Sequence, residues 1–467
     1  MMRTFKRSAI ATVALGLLVA MTVPVHAQQA TRPDVQELLQ KIQQLQQQLQ
    51  AQQEQNRMLQ QQLQNLQGTV SALAETQKQQ RQQLEKLPEE VAKAAPIKPG
   101  GKERITFKGF LSTSFFMQDA NFAFGNGQSA EFPVQEFDND NDWFTGGDVR
   151  NTRLTVAFTG TKLSTWDVGA LAEADFFGGY NGAGPFSQQQ PHLRLRLGYI
   201  ELKHGGTKIR VGQDWSPLFG EWPISTSHIA FPLGYGSAGY VGWRFPGFYI
   251  WQDLGGSGDT KFQFQGGIFE GSWNGPGPPT AWLSAGNVGF RPQVEARLNM
   301  IGTGWKLYVA GHWDDKDLKG VNEVDPDPAI DDSITGTALE IGGKFTAGNW
   351  LIHGNVYWGQ GIGQQFGAIT QFGDIESMGG WVQIGYNFDK HWSLYGFYGF
   401  DDPDNDDVLT WIGENGRMQN SMYNLHLRYA IGQYWFGLEW MHDTLKVGPD
   451  ETEVEGNQIA LSWLYKF

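Results

Sequence analysis

The 467-residue chain has no cysteine, which rules out a disulfide framework, a thiol nucleophile and lipid attachment at a processed N-terminal cysteine. After the first 27 residues it has no run of 18 apolar residues, so helical membrane spans are excluded from the mature chain. Basic residues are in the minority, 35 Lys and Arg against 49 Asp and Glu for a formal charge of -14, and this argues against nucleic acid as a partner. Signatures of chemistry are missing too: there is no Gly-x-Ser-x-Gly, no His-Glu-x-x-His and no P-loop. Gly359-Gln-Gly-Ile-Gly363 closes a strand-like stretch with no helix pattern after it, so it is not a nucleotide loop. The nine His are scattered. No enzyme activity, catalytic residue, cofactor or metal centre is expected.

Glycine and aromatics are abundant, with 60 Gly, 30 Phe, 18 Trp and 14 Tyr, yet the mean hydropathy is only -0.40. A barrel with a wet interior has this composition, because only alternate residues meet lipid and Trp and Tyr collect at the headgroups. The last ten residues show the pattern most clearly. Ile459, Leu461, Trp463, Tyr465 and Phe467 alternate with Ala460, Ser462, Leu464 and Lys466 up to the carboxylate. A terminal strand with an open edge invites aggregation, and pairing it with the first strand of a closed barrel removes that edge.

The pattern recurs from Arg104 onward and predicts sixteen antiparallel strands, near 104–118, 148–161, 163–177, 191–204, 207–215, 237–252, 259–271, 289–301, 304–317, 333–346, 349–362, 377–389, 391–401, 417–431, 433–446 and 456–467. Turns after even strands are tight, as at His204-Gly205-Gly206 and Ala347-Gly348-Asn349, whereas loops after odd strands, such as 119–147 and 216–236, are long. Short periplasmic turns and long outer loops make the same asymmetry, and an even strand count leaves both ends of the sheet on one side.

Ahead of the sheet, residues 1–27 read as a secretory signal: Arg3, Lys6 and Arg7, an apolar stretch from Ala9 to Val23, and Val25-His26-Ala27 at the cut. Residues 33–87 read as a coiled coil. With Val35 at position a, the a and d positions keep one register over eight heptads, and apolar residues fill twelve of sixteen. Val and Ile at a, Leu at d and a buried Asn56 lean towards two strands by local rules, while Gln52, Asn56, Gln77 and Gln80 serve to fix register. Pro88 ends the rod, and 88–103 is a linker containing Pro96, Pro99, Gly100 and Gly101. The fold expected is an all-β transmembrane barrel over 104–467, preceded by an α-helical coiled coil in the periplasm.

Alternation also assigns faces. Leu193, Leu195, Leu197 and Tyr199 are expected against lipid, which turns Arg194 and Arg196 to the lumen; Ile209 and Val211 outside leave Lys208 and Arg210 inside. The same parity puts Arg153, Arg244, Arg291, Arg297 and Arg428 in the lumen, with Asp167, Glu173 and Asp175 on the third strand. Arg153, Arg194, Arg196, Lys208, Arg210 and Arg244 are thus candidate pore-lining, anion-binding residues, since rows of Arg and Lys favour anions and the guanidinium fork matches a carboxylate. The bland alternative is a structural lattice in which Arg153, Arg194, Arg196 and Arg210 only pair with Glu173 and Asp175. The loop from Ser216 to Gly236, with Pro217-Leu-Phe-Gly220, Trp222-Pro223 and Phe231-Pro232, is too apolar for an exposed tip. It is expected to fold inward as a constriction lined by Asp214, Glu221 and His228, the alternative being a lid over a neighbouring protomer. Acidic runs at 138–142, 325–332 and 401–407 have the oxygen chemistry for Ca²⁺ and lipopolysaccharide bridging but lack EF-hand spacing, which favours solvated loops.

Several stretches, Asp148-Val-Arg-Asn-Thr-Arg-Leu154, Glu173-Ala-Asp-Phe-Phe-Gly178, Leu193-Arg-Leu-Arg196 and Val211-Gly-Gln-Asp-Trp-Ser216, resemble the early strands of the DcaP-like outer-membrane porins, as does the order of signal, rod, linker and barrel. The resemblance is clearest over roughly residues 30–250. It implies a homotrimer associating through barrel and coiled coil in the outer membrane of a Gram-negative bacterium, passing small anions such as dicarboxylates. That preference carries over only as far as Arg153, Arg194, Arg196 and Arg210 match. The acidic outer loops depart from an anion-attracting mouth and weigh against a phosphate-specific pore. The competing readings are a structural tether built on the coiled coil and a sugar-selective pore.

Overall fold

The computed structural model describes residues 103–136, 142–178, 191–270, 292–317 and 333–467. The expected signal and rod, all of the linker but Glu103, Arg291, and the acidic runs at 138–141 and 325–332 lie outside the described residues.

Long antiparallel strands dominate. They begin with β1 (Arg104–Gln118), a small hairpin of β2 (Ala120–Phe122) and β3 (Pro133–Glu136), and then β4 (Phe144–Asp148) and β5 (Arg153–Leu163). Next come β6 (Trp166–Gly178), β7 (His192–His204), β8 (Thr207–Trp215), β9 (Arg244–Ser257), β10 (Thr260–Phe269), β11 (Gln293–Gly302) and β12 (Trp305–Asp317). The series ends with β13 (Ser333–Ala347), β14 (Trp350–Gln360), β15 (Glu376–Asn387), β16 (Trp392–Pro403), β17 (Arg417–Ile431), β18 (Tyr434–Val447) and β19 (Thr452–Lys466). Each barrel strand pairs with its neighbours in sequence, and β19 returns to β1 from Phe110↔Lys466 to Gln118↔Gln458. The result is a closed barrel of sixteen antiparallel strands, in which β4 and β5 serve as one strand broken at 149–152. Closure leaves no sheet edge, and Phe467 completes it by exchanging backbone hydrogen bonds with Gly109.

The short turns use positive-φ glycines, Gly205 at 56°, Gly348 at 57° and Gly432 at 54°, the backbone a tight hairpin requires. On the outer surface, alternate positions of most long strands carry exposed apolar side chains, among them Leu298, Ile341, Ile352, Ile384, Leu425, Leu438 and Leu461. The neighbours of these residues, such as Glu340, Gln383, Asn424 and Glu439, are buried inside. Exposed hydrocarbon in a continuous band around a closed barrel is suited to lipid. Leu425→Arg, near the middle of β17, is therefore expected to destabilise the barrel by about 2–4 kcal/mol in bilayers. Reversible urea unfolding in lipid vesicles measures this, and a change under ~0.5 kcal/mol would remove the lipid-facing assignment of that surface.

The structure corrects one part of the parity reading. Leu195 pairs with Ala174 but Leu197 pairs with Glu173, so a bulge at Arg196 shifts the register. Beyond it Leu197 and Tyr199 face inward, each 9% exposed, while Ile200 is 57% exposed on the outside. One extra residue turns every later side chain of β7 to the opposite face. The sixth strand also begins later than expected, at Arg244 rather than 237, because residues 237–243 belong to an internal loop.

Candidate functional site: the interior of the barrel

Strands β5 to β9 present the basic side chains, and the structure places all six candidates inside, most of them against carboxylates. Asp175 on β6 takes a forked pair from Arg194 (Nε to Oδ1 3.0 Å, Nη2 to Oδ2 2.8 Å) and a further bond from Arg196 Nη1 at 2.8 Å. Arg196 Nε donates to Glu173 at 3.0 Å, and Arg153 approaches the same carboxylate at 3.7 Å. On β8, Arg210 bridges Glu201 and Asp214, both at 2.7 Å. This is a lattice in which planar guanidinium forks satisfy buried carboxylates.

Two of the six differ. Among the described residues, Arg244 and Lys208 have no ion pair. Arg244 is buried with its guanidinium 4.1 Å from the Trp243 ring centre and 4.8 Å from that of Trp215, and its Nε and Nη1 find no acceptor. The Lys208 ammonium lies 3.6 Å from the Trp251 ring centre. Aromatic faces stabilise these cations without cancelling their charge.

Further cations face inward nearer the short turns. Lys306 stands opposite Lys344 on β12 and β13, an unfavourable like-charge pair that Glu221 relieves by bonding Lys306 at 2.8 Å. Burial acts to raise the Glu221 carboxyl, but the Lys306 charge and hydrogen bond, with help from Lys344 and Arg297, outweigh it and hold the group below its ordinary range. Arg428 and Lys466 lie over Trp435 at 4.8 and 3.2 Å.

Residues 216–243 cross the interior and are fixed to strands around the barrel. Leu218 N donates to Glu295 on β11 at 2.6 Å, and Ile224 N to Gln383 on β15 at 2.7 Å. Glu439 on β18 accepts from Thr226 N, Ser227 N and Ser225 Oγ, each at 2.7 Å. Asn355 on β14 and Asn420 on β17 donate to the carbonyls of Gly239 and Ser237. The loop's apolar residues, including Phe219, Phe231, Leu233, Tyr235 and Tyr240, form one cluster with Trp381, Phe397, Met422 and Met441 of the wall. The loop is thus a second layer of core inside the barrel.

The three residues expected to line the constriction separate. Glu221 is partly exposed beside Lys306. Asp214 is 2% exposed and bound by Arg210, and His228 is 1% exposed between Ser227 Oγ and Ala130 O, so these two do not line an open passage. Burial lowers the His228 pKa and leaves it neutral, in keeping with a structural place. The acidic run 401–407 is also spoken for: Asp401 accepts from Tyr357 and Ser377, Asp404 caps the short helix Asn405–Trp411, and Asp407 accepts from Glu376 N.

Among solved structures, the outer membrane channel DcaP of Acinetobacter baumannii superposes with a TM-score of 0.60 at 14% identity, covering 79% of this chain and 99% of that one. The barrel is DcaP-like in fold. The anion-selective porin from Comamonas acidovorans matches with a TM-score of 0.51 at 12% identity, over 78% of this chain and all of that one. No family model matches. A curated relative, a ribosomal RNA large subunit methyltransferase H of Paracidovorax citrulli, is 28% identical over 81 residues, 17% of this chain, and the chain spans half of that protein's length.

The barrel has an acidic side that the arginine-centred reading passed over. Glu295, Glu340, Asp314, Asp401, Glu439 and Asp443 are all buried inward-facing residues. Strict alternation carried the signal, since Glu439 sits between Leu438 and Trp440 and Glu340 between Leu339 and Ile341. Two other loops turn inward beside residues 216–243. Phe122 and Ala130 from the first join the same cluster, and Phe366 from the loop after β14 stacks on Tyr235 at 4.6 Å.

Proposed function

We propose that the protein is an outer-membrane porin for small hydrophilic solutes, favouring small anions such as dicarboxylates. One observation carries the preference. On the wall from β5 to β9 the six candidate cations face four carboxylates, and among the described residues Arg244 and Lys208 pack on tryptophan rings without an acidic partner. Arg428, Lys466 and the Lys306–Lys344 pair continue a positive lining towards the short turns. Fixed cations in a confined aqueous path lower the energy of a passing anion and raise that of a cation. The name of the Comamonas porin is in line with this reading. A homotrimer joined through barrel and coiled coil, with the rod in the periplasm and lipopolysaccharide around the outer rim, belongs to the same proposal.

The selectivity test follows from the unpaired cations. Replacing Lys208 and Arg244 together by Gln is expected to reduce the anion-to-cation permeability ratio several-fold in planar bilayers, read as the reversal potential across a salt gradient, with the barrel still folded. Competition by succinate, phosphate and maltose then sorts the solutes. A cation-selective channel, or a ratio unchanged in the double variant, would defeat the anion reading while leaving the porin fold in place.

A further inference from the structure

Where the first and third loops meet the wall, a group of oxygens has no counter-charge among the described residues. Glu131 from the first loop and Asp443 from β18 are both fully buried, and among the described residues neither has an ion pair. Between them lie Ser237 of the third loop and Asn420 of β17. Glu131 Oε2 is 3.5 Å from Ser237 Oγ, and Asn420 Nδ2 is 3.2 Å from Ser237 O and 3.1 Å from Asp443 Oδ1. Three acceptors here find no donor at all: Glu131 Oε1, Asp443 Oδ2 and Asn420 Oδ1, the last on a side chain 0% exposed. Orphaned buried acceptors are costly, and two neighbouring carboxylates without a cation more so.

We propose that Glu131, Ser237, Asn420 and Asp443 form a calcium site that staples the first and third loops to β17 and β18. The donor set is oxygen only: two carboxylates, an amide, a hydroxyl and a backbone carbonyl. With the Asn420 amide turned over, Oδ1 joins the oxygens of Asp443 and Ser237, and the set approaches the roughly six to eight oxygens that Ca²⁺ takes in flexible geometry. Mg²⁺ fits poorly, because it holds its waters and demands a regular octahedron, and this cluster is closed to water. The atoms lie in two loops and two strands, so an ion here fixes the loops from four sides.

The test uses full-length protein in detergent, stripped with EDTA. Equilibrium dialysis against CaCl₂ is expected to give one tightly held ion per chain, with a calcium-dependent rise in melting temperature that MgCl₂ does not reproduce. Glu131→Gln and Asp443→Asn should each abolish the bound ion and the shift, whereas Asp406→Asn in the outer acidic run should change neither. Should those variants fail to fold, Asn420→Asp gives the second reading: it should be less stable than the parent without calcium and at least as stable with it. No calcium-dependent shift, a shift that survives Glu131→Gln, or an Asn420→Asp loss that calcium does not restore would overturn the site and identify the cluster as protonated carboxyls.

Discussion

Arg196→Ala is expected to cost the barrel about 3–5 kcal/mol, the largest effect of any single truncation on the basic wall. The side chain is 0% exposed and holds both Glu173 and Asp175, and Asp175 is itself 0% exposed. Removing the guanidinium leaves a carboxylate in a low-dielectric site with Arg194 as its remaining partner. Arg194→Ala should cost less, because that side chain is 22% exposed and Arg196 continues to satisfy Asp175. Lys162→Ala should cost almost nothing, since its pair with Asp167 is more than half exposed on both sides. Denaturant unfolding followed by tryptophan fluorescence ranks the three. An Arg196→Ala barrel within about 1 kcal/mol of the parent would mean that the lattice is dispensable. The double replacement Arg196→Met with Asp175→Asn should recover much of the loss, because removing both partners avoids stranding a charge. Charge selectivity is a poor readout for this pair, as both arginines are already neutralised where they stand.

The barrel was legible because two solvents sort its side chains. Every one of the sixteen predicted strands overlaps an observed one, from β1 at Arg104 to β19 ending at Lys466, since a lipid-facing position admits few residue types and its neighbour many. Alternation failed where the backbone added a residue. The bulge at Arg196 carries no mark in Leu193-Arg-Leu-Arg-Leu197, and only pairing with β6 reveals that Leu197 has changed sides. The inward position of Arg153, Arg194, Arg196, Lys208, Arg210 and Arg244 was readable in the same way, but their pairing was not. Whether a cation is free or bound depends on which carboxylate the neighbouring strand brings opposite, a matter of register. Arg244 and Lys208 look no different in sequence from Arg194, yet they stack on Trp243 and Trp251 instead of meeting an acid. The third loop declared itself through its aromatics. The first did not, for Asn121, Asn126 and Gln128 give it the look of an exposed loop, while Phe122, Ala130 and Glu131 take it inside.

Deleting residues 217–241 is expected to raise single-channel conductance several-fold and to weaken charge selectivity. The ends of the loop are already joined, since Ser216 N donates to Trp243 O at 2.8 Å, so a short glycine bridge replaces the segment without moving β8 or β9. The barrel should survive, because its ladder hydrogen bonds run from strand to strand and none depends on the loop. What disappears is the inner layer: Phe219, Phe231, Leu233, Tyr235 and Tyr240 leave the cluster, and Trp381, Phe397, Met422 and Met441 become wet. A narrower test separates obstruction from mere presence. Glu439 accepts three hydrogen bonds from the loop tip at 2.7 Å, and charged hydrogen bonds of this kind contribute about 1.5–3 kcal/mol each. Glu439→Gln keeps the shape, removes the charge and turns one acceptor into a donor facing other donors, so the tip should detach intermittently. Its signature is a current that flickers between the parent level and one approaching the deletion's. If the deletion conducts like the parent, residues 217–241 do not lie on the solute's path, and the passage must run along a part of the wall that this loop leaves uncovered.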